Sequence, residues 1–276
     1  MTISIKSKKF FTKKKQILYK RYKKNPNKKK FLSIVRRGVL PRPNYALCIL
    51  LAAQQAKELG YKSFKILEFG CNNFDGIVDI EHFVKDIKEF LDIDCEIFGF
   101  TLKTGLPKYN VNPYDRLYRW SPGEMGLINN DNYKNIKSAK IYFGDVKKTV
   151  LEFKRKYKKT FKDSPIGFCI FDLDYYTSTK SALNILNMNP NFYLPRTHLY
   201  FDDHSWSSLY EGERKAVMEF NKKNKNKISD IGELAEILSI YWFKWIFLGK
   251  RIQVINFNKH KKFNKRVEHL DIADNF

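Results

Sequence analysis

Two acidic clusters, Phe171-Asp172-Leu173-Asp174-Tyr175-Tyr176 and Phe201-Asp202-Asp203-His204, each close an apolar run of strand type and lie one strand-helix-strand unit apart. Neighbouring strands are spaced by about 4.8 Å, so carboxylates leaving adjacent strand ends can converge on one hard cation at about 2.1 Å. A divalent cation such as Mg²⁺ would relieve the repulsion among four carboxylates and acidify a coordinated hydroxyl. Asp also caps helices, which is the simpler reading for Asp174 or Asp203 taken singly. Two clusters at corresponding positions on successive strands favour the metal or catalytic reading. His204 beside the second cluster is a candidate base or ligand, with a surface histidine at a helix start as the alternative.

A second signal is Leu67-Glu68-Phe69-Gly70-Cys71-Asn72-Asn73-Phe74-Asp75-Gly76, which ends an apolar run and opens a helix. Open parallel sheets bind nucleotides at such a place, past the strand end and beside a helix N-terminus. Gly70 would let the backbone approach a ligand closely. The phosphate-cradling G-x-G-x-x-G is absent, which disfavours a pyrophosphate ligand. An E-x-G turn with Glu68 beside a cationic, phosphate-free ligand suits S-adenosylmethionine better. The bare alternative is a glycine that simply turns the chain from strand to helix.

The elements that must position these residues follow from hydrophobic period and punctuation. A helix over 44–59 stops at Gly60, and strands are predicted at 64–69, 95–100, 139–144, 166–171 and 198–202. Helices at 78–91, from Val146, at 178–187 and at 209–221 separate them. This alternation implies an α/β fold with a Rossmann-like, doubly wound, mostly parallel sheet covered on both faces. The end differs: YWFKWIFLGKRIQVINF holds two β-rich runs around Gly249-Lys250 and reads as a C-terminal antiparallel hairpin. Five parallel strands followed by such a hairpin is the succession of class I methyltransferases. The polar segment from Lys103 to Asn135 exceeds ordinary loop lengths, and its Arg116, Arg119 and Trp120 suggest a lid over an acceptor or an anchor for the loop.

Here the residues resemble a known family. FDLDYYTSTKSAL followed by YFDDH is similar to the core of macrocin-type sugar O-methyltransferases, a metal-dependent class I group, and ILEFGCNNFDG resembles their first motif. GFTLKTGLP, YDRLYRWSPGEM, FGDVKKTV and GERKAVMEFN agree, so the likeness spans about residues 40–260. The resemblance implies S-adenosyl-L-methionine as cofactor and a divalent cation held by Asp172, Asp202 and Asp203. An acidic residue there assists deprotonation of a hydroxyl on a small or glycan-linked acceptor. The candidate catalytic residues are therefore Asp172, Asp174 and His204. The candidate cofactor-binding residues are Glu68, Gly70, Cys71, Asn72, Thr101 and Asp145. Thr101 stands where the family usually places an acid for the ribose hydroxyls, and Asn72 and Phe74 replace its extra glycines.

Composition bounds the partners. The 276 residues suffice for one large domain, expected over 31–276, and the formal charge of +23 is concentrated in a Lys-rich, acid-free arm at 1–30, read as flexible or partly helical. Such an arm suits RNA or another polyanion, which leaves a second reading: a methyltransferase, or a catalytically reduced binding protein, that engages a polyanion. Abundant Lys, Asn, Ile, Phe and Tyr also follow from AT-rich coding without selection for binding. The four cysteines are scattered, with no zinc or disulfide spacing, and no apolar run reaches the length of a membrane span. A cytoplasmic protein is expected.

Overall fold

The computed structural model describes residues 13–108, 112–116, 118–126, 131–205, 207–231 and 251–267, with the side chain of residue 131 left aside. The described part of the Lys-rich arm is helical. Helix α1 (Lys13–Lys23) leads through a turn to α2 (Lys28–Arg36), whose first turn is capped by the Asn27 side chain accepting from Lys30 N at 3.0 Å. Tyr22, Phe31, Leu32, Ile34 and Val35 are buried in the main core, because the apolar positions of these two helices fall on one face. Lys23 Nζ bridges to Asp86 at 2.7 Å.

Helix α3 (Pro43–Glu58) opens with Pro43, whose missing N–H suits a first helical position, and lies across the sheet. Then come β1 (Ser63–Phe69), α4 (Asp75–Leu91), β2 (Asp94–Thr101), β3 (Lys140–Phe143), α5 (Val146–Tyr157) and β4 (Ile166–Phe171). They are followed by α6 (Tyr176–Ala182), β5 (Tyr193–Phe201), α7 (Gly212–Lys223), β6 (Ile228–Asp230) and β7 (Ile252–Asn256). The seven strands order as β3-β2-β1-β4-β5-β7-β6. The first five in that order pair in parallel, and β7 runs antiparallel to both β5 and β6. The fold is therefore the expected Rossmann-like, mostly parallel sheet with antiparallel pairing at its C-terminal edge.

The expected hairpin has only its second run among the described residues, as β7; its first run, 241–247, lies outside them. The described partner of β7 is the three-residue β6, too short for any periodic signal in the sequence. No described helix is long and apolar enough to cross a membrane.

Side chains alternate between two cores. Phe64, Ile66, Phe168, Ile170 and Tyr200 face α1 to α4, whereas Leu67, Phe69, Cys169, Phe171, Leu199 and Phe201 face α5 to α7. On the second face one row of rings crosses five strands. Tyr142 stacks on Phe100 at 5.2 Å, Phe100 on Phe69 at 4.6 Å, Phe69 on Phe171 at 5.2 Å, and Phe171 on Phe201 at 4.8 Å. Each pair is also directly opposite in the ladder. The row lines up the strand ends, so Thr101, Gly70, Asp172 and Asp202, one residue further on, stand side by side at the rim.

Truncating a ring inside this row should loosen the whole rim. Phe171→Ala is expected to cost about 3–5 kcal/mol and Phe171→Leu less than half of that, measured as the change in unfolding free energy in urea.

Candidate functional site

The chain leaves β1 through Gly70, whose φ of +92° belongs to the region glycine tolerates. A Cβ there would stand 1.7 Å from the Asp172 carbonyl oxygen, so the strand ends of β1 and β4 approach at a distance only glycine permits. Gly76, in the first turn of α4, plays a similar part: a Cβ would lie 2.0 Å from Glu68 Oε1. The Glu68 carboxylate is thereby packed against the start of α4. Between these elements lies a cleft with about 430 Å³ of empty space, part of it open to solvent. Its walls are Arg42, Tyr45, Glu68, the 70–76 turn and Asp172.

Parity explains who faces the cleft. Glu68 continues the register of Ile66, and Asp172 that of Ile170, so both project toward α3 and α4. Glu68 is 3 % exposed, and its Oε2 has no hydrogen-bond partner among the described residues. Burial lifts its pKa to about 7; the Arg42 guanidinium opposes the rise and Asp79 adds to it. Asp79, from α4, is likewise raised by burial to about 6 despite its ion pair with Arg42. Cys71 is buried, donates from Sγ to the Glu68 carbonyl at 3.3 Å, and has its thiol pushed well up by burial, which removes it as a thiolate nucleophile. Asn72 lines the cleft beside it.

The acidic clusters do not converge on one point. Asp202 follows Tyr200 in register, is the more exposed of its pair, and accepts at Oδ1 from Tyr200 OH and Arg251 Nη1, both at 2.8 Å. Asp203, one residue on, turns the other way: it is 4 % exposed, its N donates to Glu213 Oε2 at 2.9 Å, and Arg116 Nη1 lies 3.6 Å from its Oδ1. Asp174, buried with a φ of +58°, has its carboxyl lifted to about 10, first by burial and then by a hydrogen bond shared with Asp203. Burial, followed by Asp202, Glu68 and Asp203, raises Asp172 well above the carboxylate range. Of the acids at the ends of β4 and β5, Asp172 is the one that lines the cleft.

The expected cation does not fit this arrangement. Among the described residues no group of three His, Cys, Asp or Glu side chains is placed to hold a metal ion. Asp202 and Asp203, neighbours in the turn after β5, are taken up by different partners, Asp202 by Arg251 and Tyr200, Asp203 by Arg116 and, through its N–H, Glu213. The reading of Asp172, Asp202 and Asp203 as an Mg²⁺ triad is therefore corrected.

The remaining expected residues stand apart from the cleft. Thr101, at the end of β2, points its hydroxyl at the neighbouring Leu102 carbonyl, 3.5 Å away. Asp145 caps α5, accepting from Lys147 N at 2.8 Å. His204 has Nε2 2.9 Å from Gln253 Nε2 on β7, and burial lowers its pKa to about 4, so the ring is neutral at pH 7. In the polar segment, Arg116 is turned inward, 2 % exposed, and Arg119 lies over the Trp120 ring at 5.3 Å.

Several residues of this neighbourhood escape sequence reasoning. Glu213 is fully buried with Oε1 unpartnered among the described residues, and burial followed by Asp203 lifts its carboxyl well above the usual range. Its signal is an acid at the head of the apolar stripe Ala216, Val217, Phe220. Buried Asp115 accepts from Thr177 N at 2.7 Å, Thr177 Oγ1 at 3.0 Å and Asn112 N at 2.6 Å, pinning the polar segment to the start of α6. Arg42 and Tyr45 precede the first motif and carried no signal at all.

No protein-family model and no curated protein matches this chain. Among solved structures it is similar to the crystal structure of MnmC2 from Aquifex aeolicus, with a TM-score of 0.38 and 16 % sequence identity. The match covers 77 % of this chain and 57 % of that one, so this chain spans little more than half of its length.

The state of Glu68 makes a testable contribution to stability. Its folded-state pKa of about 7 lies above the ordinary 4.5, so the protonated form is favoured by folding. This stabilisation is full below pH 4.5 and is lost as pH rises through 7. Replacing Glu68 with Gln should flatten the pH dependence of Tm in that window and raise stability at pH 8 by about 3 kcal/mol.

Proposed function

We propose that the chain is an S-adenosylmethionine-dependent O-methyltransferase acting on a hydroxyl of a small or glycan-linked acceptor. The observation that carries this reading is the cleft at the ends of β1 and β4. That is where the sheet order reverses, with β2 and β3 on one side and β5 on the other, and open α/β sheets bind ligands at such a switch point. Its wall offers no glycine-rich phosphate cradle, and its charged lining is Glu68, Asp75 and Asp172 against Arg42. A lining rich in carboxyl groups, of which Glu68 ionises near pH 7, suits a cationic sulfonium with an ammonium, and Glu68 Oε2 is an acceptor for the latter.

When bound, the cofactor supplies a methyl group made electrophilic by its positive sulfur, and departs as a neutral thioether after transfer to oxygen. What this chain contributes is position and a proton acceptor. Gly70 and Gly76 let the turn pack tightly against the Asp172 carbonyl and the Glu68 carboxylate that wall the site, and holding donor and acceptor in line lowers the barrier through lost translational freedom already met in binding. Asp172, at the inner edge of the cleft, is the group placed to receive the hydroxyl proton. Its raised pKa, shared with the neighbouring acids, makes it a stronger base when ionised. His204, neutral and tied to Gln253, takes no part in this step.

The acceptor side is suggested by exposed aromatics. Tyr118 is 77 % exposed with its hydroxyl donating to Glu211 at 2.7 Å, and Tyr210, 74 % exposed, adjoins Glu211 in the chain. Flat rings beside a carboxylate can stack on and hydrogen-bond a sugar ring.

Titration calorimetry with S-adenosylhomocysteine tests the reading, with micromolar binding expected; absence of binding by both it and S-adenosylmethionine overturns it. Asp172→Asn should keep that binding within about threefold and lower methyl transfer by about 10²-fold or more, followed with labelled donor.

A further inference from the structure

Helix α5 carries a second stripe besides the one it buries. Val150, Phe153 and Tyr157 pack into the core, whereas Leu151, Lys154, Arg155 and Lys158, spaced by three and four, share a flank. That flank and the turn joining α6 to β5, through Met188, Asn189 and Phe192, bound a groove with about 1160 Å³ of empty space, part of it open to solvent. None of these residues lines the cleft described above. Leu151 is 53 % exposed, and the Phe192 ring is held by Phe161 at 5.2 Å. The surface inside the groove is almost wholly apolar.

Its edge is cationic. Residues 146–162 hold eight Lys or Arg and one acid, Glu152. Lys154 Nζ donates to the Asn184 carbonyl at 3.2 Å, and burial lowers its pKa, a cost that an anion beside it would offset. Arg155 and Lys158 are exposed and form no ion pair among the described residues. Asn189 turns its side-chain oxygen to its own loop, accepting from Asn191 N at 3.0 Å.

Such a lining selects its guest. A peptide strand or a nucleobase laid on it would bring N–H and C=O groups out of water with too few partners to replace it. An alkyl chain needs none, and its transfer from water is favourable. The cations at the edge donate and cannot accept, so they suit an anionic head. We propose that this groove is a second binding site, taking a single alkyl chain with an anionic head group: the chain lies against Leu151, Met188 and Phe192, and the head meets Arg155 and Lys158. Concavity favours one monomeric amphiphile over a bilayer, because insertion into a membrane calls for an apolar face that projects. The site is independent of the cofactor reading.

Calorimetric titration of the full chain with dodecanoate, decanoate and octanoate, each below its micelle concentration, tests the proposal. Affinity should rise with length, by up to about fourfold for each methylene taken into the groove. Dodecyltrimethylammonium, with the opposite charge, should bind at least about tenfold more weakly than dodecanoate. Leu151→Asp, at an exposed position, should weaken dodecanoate by about tenfold or more, and Arg155→Ala with Lys158→Ala by about tenfold. Lys24→Ala with Lys29→Ala, the same loss of charge near α2, should leave affinity within about twofold, with circular dichroism and Tm reporting the fold of each variant. No dodecanoate binding by folded wild type, affinity independent of chain length, or equal binding of the cationic analogue overturns the proposal. So does an unchanged affinity in Leu151→Asp, or an equal loss in the two charge variants. Binding to phosphatidylglycerol vesicles without binding of monomeric dodecanoate overturns it as well, and makes this face a membrane surface instead.

Discussion

Everything at this site depends on register. Parallel strands specify their alignment through the side chains they bring face to face, and here the row Tyr142, Phe100, Phe69, Phe171, Phe201 stacks ring on ring across five strands. Such pairs add to the burial of large apolar surface. A slip of one residue would turn every side chain to the opposite face. Glu68 would then meet the aromatic core instead of Arg42 and Tyr45, and Gly70 would no longer stand where the Asp172 carbonyl leaves no room for a Cβ.

The acids past the strand ends fall into two groups by their partners. Glu68 and Asp172 look into the cleft, where a ligand can complete them. Asp203, Asp174 and Glu213 look toward α7, where Arg116 supplies a guanidinium and raised carboxyl pKa values reduce the number of negative charges. Isolated buried ions are costly in a medium of low polarisability, so a crowd of carboxyls titrates upward until few are charged at once. Asp172 is electrostatically linked to both groups, through Glu68 on one side and Asp203 on the other.

The polar segment after β2 is fastened by the same chemistry. Asp115 grips the N-terminal turn of α6, the Tyr175 hydroxyl donates to the Trp120 carbonyl at 3.0 Å, and Arg116 reaches Asp203 and Glu211. These contacts fasten the described part of the segment to the start of α6 and to the turn after β5. The basic helices α1 and α2, in contrast, meet α4 through Tyr22 and Phe31 and the Lys23–Asp86 bridge.

The amino-acid order by itself determined the elements, because apolar period, proline and glycine act within a few residues of one another: the β1 to β5 succession, α3 stopping at Gly60, and the Glu68-x-Gly70 turn were all readable that way. It also marked the strand ends where chemistry would gather. It did not mark β6, whose three residues hold no period, nor Glu213 and Arg42, which come from parts of the chain distant from the first motif, nor Asp79, whose pairing with Arg42 depends on how α3 and α4 pack. Above all, only the tertiary structure decided that Asp202 and Asp203 part company. Adjacent letters state which acids are near; which face of the sheet each one leaves, and which partner waits there, depends on strand register and helix packing that span the whole molecule.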